Sequence, residues 1–334
     1  MSIQQYQTTK QGGPFALVTA PKPKPGPNEV SIRPKAVALN AIDWKNLKFG
    51  AIVSSWPAVL GIEGAGIVDS VGEDVTAFKT GDEVMSFGHG IVGNGTFREI
   101  YTVPENFVVK KPGILNFEEA ASLPICYLTA AATIRVGLKI PLPGLSKISI
   151  SNSIQSALVL GGSSAVGAAA IQLLRLALPH VFIITTSSVA HHAHLQSLGA
   201  SKCLERGAQD DSTVLKASTP YGTGVDVIID AVAAGASSPA VYQAFRVDGP
   251  KLYSLVVTGP PPKFPEGIQG VLVGGQDMLD AEPDAMPYLG KLVVEGKYKL
   301  PLKIEVVGKG WDAIDAGLKR YPAGYSGTKL VVTL

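Results

Sequence analysis

Apolar and polar residues alternate in short runs through the first third of the chain: VSIRPKAVAL (30–39), GAGIVDSVG (64–72), DEVMSF (82–87) and FREIYTV (97–103). Gly, Asp, Asn and Pro punctuate them, with Gly72, Gly81 and Asp82 placed where tight reversals are needed. A period of two broken by turn residues predicts half-buried strands, here an all-β, barrel-like half. The proline-rich APKPKPGPN (20–28) reads as an extended connector. Beyond Phe117 the pattern changes: residues 117–138 read as helical, with Glu118 and Glu119 in an early turn where negative charge suits the helix dipole. Strands and helices then alternate: strand 156–162, helix 165–178, strand 180–188, helix 191–198, strand 225–232, helix 239–245 and strand 251–257. Such alternation means βαβ units and a parallel sheet. The tail predicts a helix at 285–295, a strand at 302–308, a helix at 311–321 and a last strand at 329–334.

The SALVLGG strand runs straight into the turn Gly162, Ser163, Ser164, Ala165, Val166, Gly167 and an amphipathic helix. This is a GxGxxG fingerprint with Ser164 at the middle glycine. Backbone N–H groups at such a turn and the positive end of the helix suit a pyrophosphate. Ser164 must either tolerate the close approach of the phosphate or donate its hydroxyl to it. The next strand ends in Thr186, Ser187 and Ser188 instead of the acidic residue that binds a ribose 2′-hydroxyl. Hydroxyls there donate to a 2′-phosphate that a carboxylate would repel, so the expected cofactor is NADP(H).

A length of 334 residues suggests about two domains. Although 46% of residues are hydrophobic and mean hydropathy is +0.24, no uninterrupted apolar run approaches the ~20 residues of a membrane span. The opening MSIQQYQTTKQGG has no apolar signal core, and two cysteines, Cys126 and Cys203, build no disulfide framework. The expectation is a cytoplasmic protein without membrane contact. A net charge of +2 with no basic block argues against a nucleic-acid surface. The partner should be a small molecule.

NAIDWK (Asn40 to Lys45), GIEGAGIVDSVG (61–72), GDEV (81–84), LPICYLTAAATI (123–134), GGSSAVG (161–167) and SGTKLVV (326–332) together resemble the medium-chain dehydrogenase/reductase superfamily over essentially the whole chain. The NxxDWK segment, serine-rich loop and tail look most like its zinc-free fungal branch with trans-acting enoyl reductases of polyketide pathways. The resemblance implies an α/β protein: a GroES-like β-barrel catalytic domain of residues 1–127 and 272–334, and a Rossmann-type doubly wound domain of residues 128–271. The expected assembly is a monomer or homodimer.

Zinc members of the superfamily hold their metal with Cys, His-Glu and Cys ligands. Here Ile62 stands at the histidine, NAIDWK has no Cys, Cys126 is offset and the four-Cys lobe is missing, so no metal is expected. Glu63 is read as a structural carboxylate over a catalytic one, and His89 as a turn residue. The lysine and tyrosine that related reductases place after the serines are changed; Arg206 falls near the tyrosine and either pairs with a 2′-phosphate, stacks on adenine or is simply solvated. His191 and His192 are weaker candidates of the same kind.

Without a Lewis acid, conjugate reduction of an enone or enoyl thioester asks less of the protein than ketone reduction. Hydride goes to the β-carbon, and donors stabilise the resulting enolate oxygen. Lys45, the end of NAIDWK, is either a polar active-site group that binds the nicotinamide ribose or substrate carbonyl or relays a proton, or a solvated surface lysine; the resemblance places the Thr129 hydroxyl close to the nicotinamide, with Asn40 and Asp43 organising the NAIDWK loop and Trp44 packing. Ile42 to Lys45, Leu255 with Val256, and Tyr325 with Ser326 are expected to line the cofactor cleft. The rival readings are a quinone or small-enone reductase, and a redox-neutral cyclase or NADPH-binding accessory of a larger enzyme such as a polyketide synthase or its carrier domain.

Overall fold

The computed structural model describes residues 1–88, 95–145, 154–257 and 262–334; His89 lies outside them. Two compact units divide the chain: Met1–Ile125, Met286–Gly296 and Lys303–Leu334 in the first, Cys126–Ala285 and Lys297–Leu302 in the second.

In the first unit the strand Glu29–Ala38 is the hub, pairing antiparallel with Glu63–Val71, Tyr101–Pro104 and Thr328–Thr333. Glu63–Val71 continues to Glu83–Phe87 and then Val108–Lys110, while Thr328–Thr333 takes Lys303–Lys309 as a parallel edge. Pro34 has no N–H to give a ladder, and the register shifts between Pro34 and Ala36. A second sheet, Phe15–Pro21, Ser2–Thr8 and Ala58–Val59, is built from segments that carry no strand expectation. Leu39, Leu60, Phe97, Leu318, Leu330 and Val332 form the core here. NAIDWK is a helix, not a loop: Ala41–Phe49 begins at Asn40, whose backbone N–H donates to the Asp43 carboxylate, and stops at Gly50 with φ 61°. An acidic residue at the third helical position and a left-handed glycine after the last turn are ordinary start and stop signals.

The second unit holds a six-stranded sheet, all parallel, in the order Lys202–Glu205, Phe182–Ser187, Ser156–Leu160, Val227–Asp230, Leu252–Val256, Gln269–Val273. The order reverses between Ser156–Leu160 and Val227–Asp230, the switch point at which such sheets open a crevice beyond their carboxyl ends. Gln269–Val273 as sixth strand corrects the expected boundary: the chain leaves this unit after Ala285, not after residue 271, and re-enters it at 297–302. The expected helix at 239–245 is a 3₁₀ turn, Pro239–Ala244, whose buried residues Val241 and Ala244 are spaced three apart as that turn repeats. Residues 117–137 form successive helical segments, Phe117–Ala121, Pro124–Ala132 and a wider turn Thr133–Gly137. This stretch is long and apolar enough to cross a membrane by length and composition, yet it is mostly buried, as a core helix is.

Candidate active site

The glycine-rich turn is shaped by contacts that admit no side chain. Strand Ser156–Leu160, buried throughout, ends at Gly161 with φ 74°, where a Cβ would lie 2.4 Å from Val232 Cγ1. Gly162 N–H donates to Thr186 O at 3.0 Å, tying the turn to the neighbouring strand. Helix Ala165–Ala177 opens at Ser164, whose Oγ accepts the Gly167 N–H at 3.0 Å. A Cβ on Gly167 would stand 2.3 Å from Gly161 O, so helix and turn can lie this close only with glycine there. The first-turn amides of Ala165 and Val166 precede any intrahelical acceptor and face the positive end of the dipole. Ser163 is buried beneath the turn. These residues fit a dinucleotide pyrophosphate, with Ser164 serving as helix cap in place of the middle glycine.

The hydroxyl residues at the end of the second strand differ in exposure. Ser187 is fully buried and its hydroxyl donates to Ser188 O at 3.2 Å. Strand residues alternate faces, and Ser188 is the half-buried one. Ser187 pairs in register with Glu205, so Ser188 and the exposed Arg206 emerge side by side from adjacent strand ends. His191, half-buried on the turn Val189–His191, is held below the usual histidine range by burial and by Arg206, His194 and His192. Leu255 and Val256 end the fifth strand at the same carboxyl edge, both buried. Thr129 is buried in the middle of helix Pro124–Ala132.

The first unit holds a buried polar cluster. Lys45 is half-buried on helix Ala41–Phe49, and burial pulls its ammonium below the ordinary lysine value. Asp43, fully buried two residues earlier, accepts the Gly61 N–H at 3.2 Å as well as the Asn40 N–H at 2.9 Å. Burial pushes its carboxyl up to about 7; the neighbouring Glu63 charge adds to this, while the two N–H donors and Lys329 oppose it. Glu63, also fully buried, accepts from Lys329 Nζ (2.6 Å), Asn40 Nδ2 (2.9 Å) and Ile125 N–H (3.0 Å). Lys329 donates in addition to Asn40 Oδ1 at 2.5 Å. Tyr321 donates to Leu39 O at 2.7 Å, its hydroxyl kept protonated by burial and by the Asp43 and Glu63 charges. Sequence reasoning missed Lys329; the signal was a lone lysine at the head of the apolar run LVV. Ile42 and Trp44 are half-buried, and the Trp44 ring meets Phe49 edge-on at 5.5 Å. Tyr325 donates to Glu305 and accepts from Arg320 at 2.6 Å, which fixes the approach to Ser326 and the last strand.

Among the described residues no three His, Cys, Asp or Glu side chains come together as metal ligands would. Cys126 is buried with Sγ 4.0 Å from the Tyr298 hydroxyl. A surface groove of about 640 Å³, lined by Lys110, Lys111, Val294 and neighbours, touches none of the expected site residues.

The alcohol dehydrogenase GroES-like domain family matches residues 26–113. Dehydrogenase orsE of Emericella nidulans is 30% identical over 98% of this chain and 97% of its own. Trans-enoyl reductase tndF of Aspergillus flavipes is 31% identical over 97% of this chain and 96% of its own. The chain belongs to the medium-chain dehydrogenase/reductase superfamily. The fold agrees: the quinone oxidoreductase from Coxiella burnetii superposes with a TM-score of 0.77 at 25% identity, covering all of both chains. In this superfamily member the β-rich unit is the GroES-like domain and the parallel sheet the Rossmann-type domain, and the protein is an oxidoreductase by family.

Proposed function

We propose that the protein reduces an activated carbon–carbon double bond, an enoyl thioester or enone, with NADPH and without zinc, as a trans-acting enoyl reductase working beside a polyketide synthase or its carrier domain. The carrying observation is the carboxyl edge of the parallel sheet. There, the capped glycine turn offers N–H groups to a pyrophosphate, and the second strand ends in Ser188 beside Arg206, a hydroxyl and a guanidinium suited to a 2′-phosphate. The trans-enoyl reductase among its relatives supports the substrate class. Reduced nicotinamide, when bound, supplies the hydride. The chain must orient the acceptor and meet the charge that grows on its carbonyl oxygen; Lys45 and Thr129 are the donors we assign to this. An ammonium pulled below its ordinary value also yields a proton more readily, which suits Lys45 to protonating the product.

A second reading, a quinone or small-enone reductase, is favoured by the likeness to the Coxiella burnetii quinone oxidoreductase. The test is a panel of acyl thioesters, enones and quinones with NADPH and NADH, followed at the reduced-nicotinamide absorbance. Oxidation of NADPH by acyl thioesters supports the reading, and preference for quinones selects its rival. If NADPH binds but no acceptor oxidises it, the chain is a redox-neutral cyclase or an accessory protein. Arg206→Ala should weaken NADPH and spare NADH; equal affinity of the unaltered protein for both cofactors overturns the NADPH assignment.

A further inference from the structure

We propose that His191 is a titratable ligand for the 2′-phosphate of NADP(H), so that the dinucleotide takes up a proton as it binds. The inference rests on the NADPH reading and adds a pH-dependent regulation of that site. Ser188 is the cap of the turn Val189–His191, so His191 follows the half-buried serine by one turn, while Arg206 closes the adjacent strand. Serine hydroxyl, imidazole and guanidinium thus cluster at one corner of the carboxyl edge.

The other titratable groups around His191 have separate engagements or carry opposing charge. On the following helix, His192 Nε2 lies 3.4 Å from Ser187 O, and His194 Nε2 lies 2.7 Å from Pro301 O. On the packed strand, Cys203 donates to His192 O at 3.6 Å, and Lys202 and Glu205 are exposed. In the absence of an anion, burial and the nearby cations disfavour the imidazolium. A dianionic phosphate reverses that balance: it neutralises Arg206 and offers His191 an opposite charge, worth about 1 to 3 pKa units at such range. His191 then binds a proton in the complex that it lacks in the unliganded protein. Affinity for NADPH must fall as pH rises through the value of His191 in the complex, by at most about tenfold per pH unit. The phosphate itself gains a proton near pH ~6, which weakens binding at lower pH and is present in any variant. NADH, lacking the phosphate, should show neither effect.

The experiment is calorimetric titration of the full chain with NADPH, with NADH and with adenosine 2′,5′-bisphosphate, in buffers of different ionisation enthalpy. Near pH ~7 the unaltered protein should take up roughly 0.5 to 1 proton with each 2′-phosphorylated ligand and none with NADH. His191→Gln should abolish the uptake and weaken NADPH about tenfold near pH ~6.5, converging on the unaltered protein near pH ~8.5. His191→Lys, permanently charged, should bind NADPH tightly with no uptake. NADPH preference without proton uptake, or uptake that survives His191→Gln, overturns the role of His191 and leaves the NADPH reading standing. Equal binding of NADPH and NADH overturns both.

Discussion

Replacing Lys329 by methionine should unfold the first unit at markedly lower temperature. Glu63 is 0% exposed and Lys329 5%, so the pair is out of water. Methionine keeps the apolar stem but removes the ammonium 2.6 Å from Glu63 Oε1. The Glu63 carboxylate would retain only the Asn40 amide and the Ile125 N–H as donors. Stranding one member of a buried ion pair costs about 3 to 5 kcal/mol. At about 2 to 4 °C per kcal/mol for a unit of this size, the midpoint should drop roughly 6 to 20 °C. The assay is specific to the first unit, because all three tryptophans, Trp44, Trp56 and Trp311, lie in it. Thermal melts followed by tryptophan fluorescence therefore report this unit while circular dichroism reports the whole chain. Lys329→Met combined with Glu63→Gln removes both charges and should recover most of the loss, since a buried pair contributes little net stability against a neutral replacement. A single-variant midpoint within about 2 °C of the unaltered protein, or a double variant whose losses merely add, would refute the reasoning.

Three further outcomes are expected. Asp43, near 7 in the folded protein and about 3.9 unfolded, holds a proton between these values only when folded. First-unit stability should therefore fall as pH rises from about 4 to 7, by at most ~1.4 kcal/mol per unit, then level off; Asp43→Asn should flatten the fall in tryptophan-monitored denaturant titrations, and equal slopes would contradict it. Gly167→Ala drives a Cβ to 2.3 Å from Gly161 O, which no side-chain motion relieves, so NADPH binding measured by calorimetry should be lost at a stability cost of about 1 to 3 kcal/mol; affinity within twofold of the original would refute the close-approach argument. Lys45→Ala and Thr129→Val should each lower turnover of an accepted enone by about 2 to 4 kcal/mol in activation free energy while NADPH affinity holds. Full turnover in both variants would make these residues scaffold.

Four strands of the parallel sheet, Ser156–Leu160, Phe182–Ser187, Val227–Asp230 and Leu252–Val256, were legible because each is a short apolar run followed by a helix or turn signal, and because the glycine turn has sharp steric demands; the edge strand Lys202–Glu205, as the half-polar KCLE, was not. The sixth strand, Gln269–Val273, was not either, since a proline-rich stretch and not a helix leads into it. Ser2–Thr8 escaped for another reason: as SIQQYQT, with several positions half-exposed, it lacks the apolar density that marks a strand, although Ile3 and Tyr6 are buried. At the cofactor end, sequence could name three successive hydroxyl residues but not their facing; strand alternation turns Ser187 inward and leaves Ser188 to the edge. The polar cluster shows the deeper limit. Asn40 and Lys329 stand 289 residues apart, and nothing local to either announces the other. Ile62 at the superfamily's histidine position removes a metal ligand from beside Glu63, yet a carboxylate with no exposure must have a counter-charge or give up its own. A Glu63 that stays charged at this burial needs a cation within reach. The closing SGTKLVV segment supplies it: strand pairing of Thr328–Thr333 against Glu29–Ala38 carries Lys329 inward to Glu63 and Asn40.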